Sequence, residues 1–492
     1  MIRPMERFEK KLSEIARYLG AESSSEELIS GICSNSKEIE PGDLFVAIPG
    51  TKSHGANFVD FAIKQGAKGI LTDAEGRKLA ADKLPLIEVI DVRKAIGSLS
   101  NWFYKSPSSQ MNLVGITGTN GKTTTSYLLN QIWKFAGRST ALVGTLGIEI
   151  CGEKSSSGFT TPESDQIVNI LAAAAEKHVS SSVMEVSSIA IEMGRIDGLK
   201  FEWVAFSNLT QDHLDFHGSM ENYGKAKAKL FDLSHANSAI INIDDPFGNK
   251  LFENIKIPVV SISRDSKKAE WHFSKIEENF YKKSIAIRGT QGILIEGDIS
   301  IIGDYNLDNL LMAVALAFYS GVDPLVISAA LPQLKSAPGR METIDVGQDF
   351  LAIVDYAHTP DAVANALRTA RKLSKRVIAI LGCGGDRDPL KRPIMGAELS
   401  KGSDLAIFTS DNPRFEDAEK ILNEMMSDIE TDKSNVRISD RHEAIRFAAK
   451  NATKGDCLIV LGKGHELGQE IAGKKFPFDD RVELAKAIEG LK

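Results

Sequence analysis

Cysteine is scarce in this chain, with four residues in 492, and no two of them form a CxxC pair. The spacing between them matches no zinc site. Reduced thiols, as in a cytosolic protein, are therefore the simplest interpretation of Cys33, Cys151, Cys383 and Cys457.

An excess of basic charge is also missing, since 59 Lys and Arg face 66 Asp and Glu, a net charge of −7. This balance argues against general binding to nucleic acid or to an anionic membrane, although a small anion needs only a local cationic pocket. No stretch approaches the roughly 18 apolar residues of a membrane span. Residues 1–11 are too charged for a signal peptide. We expect a cytoplasmic monomer that acts on small molecules.

Length and turn signals predict three α/β domains, at the usual size of about 100–200 residues each. Two linkers, Ser106–Ser109 and Ser336–Gly339, divide the chain into 1–108, 109–336 and 337–492. The first domain mixes strands and helices, and the second is expected to be a P-loop ATPase-like parallel sheet. The third alternates strands with helices, which predicts a Rossmann-like, doubly wound parallel sheet.

Two further elements are predicted in the chain. A polar, weakly patterned stretch over 262–300 is typical of an antiparallel region, and Asn306 is suited to cap the apolar helix that follows it. In the last domain, the pattern predicts a helix over 418–429.

A glycine loop in the second domain is the strongest chemical signal. The strand Asn112–Thr117 runs into Gly115-Ile-Thr-Gly-Thr-Asn-Gly-Lys-Thr123 and then into a helix. Glycines let backbone N–H groups wrap phosphates, while Lys122 is expected to reach the terminal phosphates and Thr123 to hold Mg²⁺. The strict pattern needs Gly where the chain has Ile116, so the loop is a variant. The alternative is a glycine turn followed by a chance lysine.

Acidic and histidine residues follow two strands of the same domain. Glu185 ends an apolar strand, where a P-loop enzyme has its Mg²⁺-binding acid, although a lone Glu there is more often a solvated residue. Asn208–His217 is dense in Asp and His, which indicates metal coordination or acid–base chemistry. Surface polar residues at a helix start are the alternative.

The predicted strands of the last domain end in polar segments. Ligands of doubly wound sheets bind at the carboxyl ends of the strands. Arg387 and Arg414 stand at two such ends, and a guanidinium suits a carboxylate because it forms two parallel hydrogen bonds. The segments are Asp355–His358, Gly382–Arg387, Asp411–Arg414 and Gly462–Glu466.

Together these motifs resemble those of the Mur ligase family over nearly the whole chain. The motifs that carry the resemblance are Thr117–Thr124, Thr160–Pro162, Glu185–Ser188, Asp212–His217, Pro338–Glu342, Asp355–Asp361, Gly384–Asp388, Asp411–Arg414 and Gly462–Glu466.

The resemblance implies an ATP-dependent amide ligase of peptidoglycan precursor synthesis. Such an enzyme phosphorylates the D-Glu carboxylate of UDP-MurNAc-L-Ala-D-Glu, and the amine of meso-diaminopimelate attacks the acyl phosphate to give an amide, ADP and phosphate. It implies ATP and Mg²⁺ as cofactors, and an N-terminal domain that binds the UDP substrate. The last domain would bind the amino acid.

By resemblance, each group of site residues has a role. The catalytic residues are Lys122, Glu185, His213 and Lys227, and the metal ligands are Thr123, Glu185, His213 and Lys227 as a carbamate. The ATP site comprises Gly118, Thr119, Asn120, Gly121, Lys122, Thr123, Thr124, Asn306, Arg340, Asp355 and His358. The UDP substrate would contact Ser36, Thr160, Thr161, Ser187 and Arg195. Diaminopimelate would contact Arg387, Asp411, Asn412, Arg414, Gly462 and Glu466.

Lys227 matches the lysine that this family carbamylates. Reaction with CO₂ turns a cation, which Mg²⁺ would repel, into an anion with two oxygens that can bind it. The alternative is an ordinary helix-surface lysine, like Lys225 and Lys229.

Arg414 favours diaminopimelate over L-lysine as the added amino acid. Diaminopimelate is lysine with a second carboxylate on its distal carbon, which Arg414 can bind, whereas lysine offers only a repelled ammonium. The loss of a desolvated charge pair costs about 2–5 kcal/mol.

Two positions depart from the family pattern. Asn35-Ser36-Lys37 replaces Asp-Ser-Arg, so that Lys37 keeps the charge but loses the forked geometry of arginine. Ile189 replaces a histidine after Glu185-Val-Ser-Ser188.

Four other functions are alternatives. A lysine-adding ligase is disfavoured by Arg414, and a folylpolyglutamate-type ligase by the long N-terminal domain. A GTPase-like switch needs Asn-Lys-x-Asp, but Leu251 and Phe252 follow Asn249-Lys250. The two departures suggest a catalytically silent protein, against which the complete set of catalytic residues stands.

Overall fold

The computed structural model describes residues 2–50, 53–81, 83–279, 282–427, 429 and 431–491. The chain divides into two compact units. The first covers Met1–His272, Arg288–Ile293 and Leu311–Ile327, and the second covers Phe273–Ile287, Leu294–Leu310 and Ser328–Lys492.

The first unit begins with a small parallel α/β layer. The strands are β1 (Lys10–Lys11), β2 (Leu28–Ile29), β3 (Gly31–Cys33), β4 (Asp43–Val46), β5 (Gly69–Thr72) and β6 (Leu86–Glu88). The sheet order is β3-β4-β5-β6. Strands β3, β4 and β5 are buried along their whole length, as expected of parallel strands that are covered on both faces. The helices are α1 (Leu12–Tyr18), α2 (Val59–Gln65), α3 (Ala74–Ala80) and α4 (Val92–Phe103).

A larger sheet follows in the same unit. Its strands are β7 (Asn112–Thr117), β8 (Thr140–Gly144), β9 (Gly147–Ile150), β10 (Glu153–Ser155), β11 (Ser181–Glu185), β12 (Phe201–Phe206), β13 (Ala236–Asn242) and β14 (Val259–Ser263). They run in the order β10-β9-β8-β11-β7-β12-β13-β14, and all pairs from β8 to β14 are parallel. The helices are α5 (Lys122–Phe135), α6 (Ser164–Glu176), α7 (Ser188–Glu192), α8 (Leu214–His217), α9 (Met220–Ala228) and α10 (Pro246–Asn254).

The register of this sheet positions the site. Glu185, the last residue of β11, pairs with Ile116 of β7, one residue before that strand ends. The end of β11 therefore lies beside the start of the glycine loop. Gly115 leaves room for Phe201, because a Cβ there would come within 2.9 Å of its ring.

The next elements are shared between the two units. They are β15 (Trp271–Asn279), β16 (Lys282–Arg288), β17 (Leu294–Ile299), α11 (Asp304–Tyr319) and α12 (Pro324–Ala330). The three strands lie side by side in this order. Residues 280 and 281 of the predicted antiparallel region lie outside the described residues.

The second unit contains the predicted doubly wound sheet. Its strands are β18 (Glu342–Thr343), β19 (Leu351–Asp355), β20 (Val377–Leu381), β21 (Leu405–Phe408), β22 (Asn435–Arg437) and β23 (Cys457–Leu461), in the order β18-β19-β23-β20-β21-β22. Only β18, among the described pairs, is antiparallel to its neighbour. Neighbouring residues of β19 face different cores, because Ile353 belongs to one hydrophobic cluster with Leu399 and Val354 to another with Leu484.

The remaining elements of this unit have the following bounds. The strands are β24 (Gly468–Ile471) and β25 (Lys474–Pro477). The helices are α13 (Pro360–Leu373), α14 (Lys391–Gly402), α15 (Ala418–Met425), α16 (Arg441–Asn451) and α17 (Asp480–Glu489).

The segment predicted as the first linker contains a 3₁₀ helix, Pro107–Gln110, in which Pro107 and Ser108 are buried. Two other local predictions are corrected. Asn306 is not a cap, because α11 already begins at Asp304, and its buried amide donates to the main-chain oxygen of Ile302 at 2.7 Å. The helix predicted over 418–429 ends at Met425, and residue 428 lies outside the described part of the chain.

None of the helices in the described part of the chain is long and apolar enough to cross a membrane.

Candidate active site

The glycine loop joins β7 to α5 through two glycines with positive φ, Gly118 at 148° and Gly121 at 90°. A Cβ on Gly118 would lie 1.9 Å from the Ser207 hydroxyl, so only glycine fits there. The Lys122 ammonium folds back onto its own loop and donates to the oxygens of Gly118 and Thr119, each at 2.9 Å. Lys122 is thus held over the loop at the N-terminus of α5, a site suited to an anion.

The segment after β12 braces this loop. Thr119 N donates to the Asn208 oxygen at 2.9 Å, and Asn120 N donates to Asn208 Oδ1 at 2.9 Å. The Thr119 hydroxyl donates to the Thr210 oxygen at 3.1 Å. These hydrogen bonds hold the loop in one conformation, which lowers the entropic cost of binding a ligand.

Glu185 contacts the end of the loop through Thr123 and is fully buried. Its Oε2 accepts hydrogen bonds from the Thr123 hydroxyl at 2.8 Å and the Thr145 hydroxyl at 3.0 Å, and its Oε1 accepts from Thr145 N at 2.8 Å. A Cβ on Gly144 would lie 2.2 Å from Oε1, so glycine makes space for the carboxylate.

This donor set fits Mg²⁺. A carboxylate and a hydroxyl offer hard oxygens, and Mg²⁺ in nucleotide enzymes takes its remaining ligands from phosphates and water. Among the described residues, no group of three His, Cys, Asp or Glu side chains is placed to hold a metal by itself. Thr123 and Glu185 are the residues that could hold the ion.

Lys227 lies in α9 with 1% of its surface exposed, unlike the surface lysine that the alternative required. Its ammonium donates to the Gly118 oxygen at 2.8 Å and stands 4.4 Å from the centre of the Tyr223 ring. Burial lowers the pKa of Lys227 well below its usual value, and the charge of Lys122 lowers it further, while Asp212 opposes both.

The two histidines of the Asp/His segment differ in their surroundings. His213 precedes α8 with φ at 51°, and its Nε2 is 3.4 Å from Asp212 Oδ2. Burial lowers the pKa of His213, against the charge of Asp212, and Lys122 and Lys227 lower it further. His217 ends α8, is 8% exposed and contacts Ser188 Oγ at 2.9 Å.

Four of the five residues predicted for the UDP substrate cluster around the end of β11. The Thr161 hydroxyl donates to the main-chain oxygen of Glu185 at 2.9 Å and accepts from Ser187 N at 3.0 Å. Arg195 donates to the Thr161 oxygen at 2.9 Å. Thr160 contacts the Thr145 hydroxyl at 3.1 Å. Ser36, the fifth, lies in the first layer at the start of a 3₁₀ helix, Ser36–Glu38.

The residues predicted for the ATP side in the second unit surround the end of β19. The buried Asp355 accepts from Met341 N at 2.7 Å and Ala357 N at 2.9 Å, and burial raises its pKa against the charge of Arg340. The Arg340 guanidinium stands 4.5 Å from the centre of the Tyr356 ring. His358 is exposed beside them, and Nδ1 lies 2.8 Å from the Tyr356 oxygen.

The predicted diaminopimelate residues meet at the ends of β21 and β23. The Asn412 amide donates to Glu466 Oε2 at 2.7 Å, and its oxygen accepts from Lys463 Nζ at 2.9 Å. Lys463 is 0% exposed and also bonds Glu466 at 2.9 Å. Burial raises the pKa of Asp411, while Lys463 and Arg441 act in the opposite direction. A Cβ on Gly462 would lie 2.7 Å from Asp411 Oδ2, so glycine is required there.

Arg414 is held beside this network with φ at 52°. It donates to the Gly385 oxygen at 2.6 Å, and its Nε lies 3.5 Å from Glu470 Oε2. Arg387 is exposed on the loop that follows β20. The two arginines thus belong to neighbouring loops of one sheet edge.

Three residues that the sequence did not single out lie beside the predicted site residues. Lys463 lies inside the segment Gly462–Glu466, but only the tertiary structure shows that it is completely buried. Tyr223 touches the Thr119 hydroxyl at 3.1 Å, and no spacing rule connects residues 104 positions apart. Asp165, with no exposed surface, accepts two hydrogen bonds from Ser34.

A phosphate-binding loop with a buried carboxylate at the end of the adjacent strand defines an enzyme that uses a nucleoside triphosphate. Comparison with known proteins agrees. Three family models match, described as Mur ligase family, catalytic domain (residues 28–104), Mur ligase middle domain (116–317) and Mur ligase, glutamate ligase domain (339–464).

Full-length relatives were also found. The chain is 39% identical to UDP-N-acetylmuramoyl-L-alanyl-D-glutamate–2,6-diaminopimelate ligase of Streptomyces coelicolor, over 99% of this chain and 98% of the relative. It is 41% identical to the ligase of that name from Aquifex aeolicus, over 94% of each. A solved structure of a ligase with the same name is 31% identical, with a TM-score of 0.67 over 94% of this chain and 95% of that one. A MurF structure from Acinetobacter baumannii, 18% identical with a TM-score of 0.68 over 93% and 96% of the two chains, shares the fold.

The chain therefore belongs to the Mur ligase family. It is an ATP-dependent ligase, and the α/β fold class expected from its sequence is confirmed.

Proposed function

We propose that this enzyme joins meso-diaminopimelate to the D-Glu carboxylate of UDP-MurNAc-L-Ala-D-Glu, with hydrolysis of ATP to ADP and phosphate. The observation that carries the proposal is the similarity over nearly the whole chain to relatives that bear the name of this ligase. The glycine loop of the first unit, with the buried carboxylate of Glu185 beside it, supports the ATP-dependent step.

The first step is transfer of the γ-phosphoryl group to the D-Glu carboxylate. The backbone of Gly118–Thr124 would cradle the phosphates, and Lys122 would stabilise the transferred group. Thr123 and Glu185 would hold Mg²⁺, which when bound neutralises phosphate oxygens. The amine of diaminopimelate then attacks the acyl phosphate, and a tetrahedral intermediate collapses to amide and phosphate.

Lys227 is proposed to act as a carbamate. An uncharged amine attacks CO₂ to form a C–N bond and releases one proton, which leaves an anionic carbamate. Burial favours this uncharged amine, because it lowers the pKa of Lys227. The carbamate oxygens and His213 would then contribute to a second metal site beside the loop.

The remaining roles follow the family pattern. Ser36, Thr160, Thr161, Ser187 and Arg195 are proposed to bind the UDP substrate, and Asn306, Arg340, Asp355 and His358 to contribute to the ATP site. Arg387, Asp411, Asn412, Arg414, Gly462 and Glu466 are proposed to bind diaminopimelate. We also propose three domains, 1–108, 109–336 and 337–492, in a cytoplasmic monomer that acts on neither nucleic acid nor membranes.

Arg414 supports diaminopimelate rather than L-lysine. Its guanidinium is positioned by the Gly385 oxygen and the Glu470 carboxylate. The second carboxylate of diaminopimelate would form a further ion pair with it. The lysine-adding ligase is the second candidate, because it needs the same ATP chemistry.

The test is phosphate release by the purified enzyme with ATP, Mg²⁺ and UDP-MurNAc-L-Ala-D-Glu, with either meso-diaminopimelate or L-lysine. We expect release with diaminopimelate. Release with lysine alone would overturn the specificity, and no release with either would favour a silent protein. Arg414→Ala should raise KM for diaminopimelate by about thirtyfold or more and leave KM for ATP unchanged. Arg446→Ala, on the exposed side of α16, is the matched control.

A further inference from the structure

Asp165 is a carboxylate with no exposed surface. It accepts a hydrogen bond from Ser34 N at 2.7 Å and another from the Ser34 hydroxyl at 2.9 Å. Burying a carboxylate costs free energy of desolvation unless hydrogen bonds compensate, and the two bonds from Ser34 offset part of this cost. Ser34 and Asp165 are 131 positions apart, and both belong to the first unit.

The residue held by Asp165 begins a tight turn. Asn35 follows Ser34, and its side chain accepts from Lys37 N at 3.1 Å, which starts the 3₁₀ helix Ser36–Glu38. At the other end of this turn, Gln166 donates to Glu38 Oε2 at 3.2 Å. Two consecutive residues of α6 therefore fasten both ends of the turn that presents Ser36.

The start of α6 also contacts the second segment proposed to bind the UDP substrate. Glu163 caps the helix and pairs with Arg195 at 2.8 Å, and Arg195 donates to the Thr161 oxygen. One helical turn thus contacts the Ser36 turn on one side and the Thr161–Arg195 pair on the other.

We infer that Asp165 is a positioning residue, which fixes the Ser34–Glu38 turn relative to the Thr160–Thr161 segment so that both can bind one UDP substrate. This inference rests on the proposed function. Asp165 would act through Ser34 and would not touch the substrate itself.

The surroundings of Asp165 give its action a pH dependence. Burial raises its pKa to about 6, against the two Ser34 hydrogen bonds, and the charge of Glu163 raises it further. Burial also raises the pKa of Cys33 to about 12 and that of Tyr104 above its usual range, so both stay neutral here. The other charged groups beside Cys33 are Arg3 and Asp43, which form an ion pair at 2.7 Å. Below about pH 6 the protonated carboxyl accepts the Ser34 donors less well.

The experiment is steady-state kinetics of Asp165→Asn in the full chain. We expect KM for UDP-MurNAc-L-Ala-D-Glu to rise about tenfold at pH 8, with kcat and KM for ATP within about twofold of wild type. The difference should shrink toward pH 5, where the wild-type carboxyl is protonated. Glu176→Gln is the matched control, because this carboxylate of the same helix also accepts two hydrogen bonds from a distant segment, here from the backbone N–H groups of Met5 and Glu6.

A double-mutant cycle with Ser34→Ala tests whether the effect passes through Ser34. The combined variant should be no worse than Asp165→Asn alone. Additive losses, an unchanged KM, or equal losses in kcat and in both KM values would overturn the inference.

Amide hydrogen exchange separates this inference from the proposed function. If the wild-type enzyme lacks ligase turnover, the proposed function fails, yet the positioning of the turn is still measurable. Faster exchange at residues 34–38 in Asp165→Asn than in Glu176→Gln supports the positioning role, and identical exchange in the two variants overturns it.

Discussion

The Lys227 ammonium donates a hydrogen bond to the Gly118 oxygen, 2.8 Å away across 109 positions of sequence. This contact ties α9 to the glycine loop and removes the lysine from water. The same loop contacts Glu185 through the Thr123 hydroxyl, so Lys227 and Glu185 both bond to the glycine loop.

Replacement of Lys227 by methionine should lower ligase turnover by roughly a hundredfold or more, because the site loses its proposed anionic ligand. ATP binding should change little, since the loop keeps its own backbone contacts. Turnover of the wild type should fall when CO₂ is removed and recover when bicarbonate is returned.

The controls are Lys225→Met and Lys229→Met, which change exposed lysines paired with Glu221 and Glu192. Full turnover in Lys227→Met would contradict the role assigned to Lys227. A ¹³C-carbamate signal from enzyme kept in labelled bicarbonate, absent from Lys227→Met, would identify the modification directly.

Glu185→Gln should weaken Mg²⁺-dependent turnover by about 10–100-fold. The amide keeps the shape but loses the anionic oxygens that the hydroxyls of Thr123 and Thr145 now bond. The measurement is turnover against Mg²⁺ concentration, and higher Mg²⁺ should restore part of the activity. Glu149→Gln, in the buried strand β9 and paired with Lys134, serves as the control. Equal losses in both variants would show a general effect of removing a buried carboxylate.

Arg441 and Asp480 form an ion pair at 2.6 Å with no exposed side-chain surface. Asp480→Ala should lower the free energy of unfolding by about 3–5 kcal/mol, because it leaves a buried guanidinium unpaired. The double variant Arg441→Met, Asp480→Leu should lose much less, since neither charge remains. Denaturant unfolding of both variants measures the difference. A lower free energy of unfolding in the double variant than in Asp480→Ala would contradict this account.

His465 should make the fold sensitive to acid. Burial lowers its pKa to about 4, and the charge of Arg340 acts in the same direction. Between about pH 6.5 and pH 4 the unfolded chain binds a proton that the folded chain does not, so stability falls as the pH falls through this range. The loss is at most about 3 kcal/mol.

The variant His465→Gln isolates this effect. Its free energy of unfolding should decline less than that of the wild type between pH 7 and pH 4. Burial also lowers the pKa values of His213, His217 and His235, so part of the acid sensitivity will remain in the variant. Parallel declines in the two proteins would exclude His465 as a contributor.

The strand before the glycine loop was predicted to the residue. Asn112–Thr117 has the bounds expected from the sequence, because it is an apolar run that ends at a glycine turn. The helix expected after the loop is also present, over Lys122–Phe135. The hairpin of β24 and β25 was not predicted, because the exposed and charged residues of its short strands resemble those of a loop. The start of α11 was misjudged because Asp304 and Asn306 both suit a helix start.

The sequence by itself determined the glycine loop, the alternating strands and helices of the last domain, and the motifs of the ligase family, because these depend on local spacing and residue type. Only the tertiary structure decided that Lys227 is buried against Gly118, that Lys463 is enclosed between Asn412 and Glu466, and that Asp165 holds Ser34. Each of these contacts joins residues through the pairing of distant strands and helices, and burial then changes the pKa of Lys227 and of Asp165 in ways that no local pattern records.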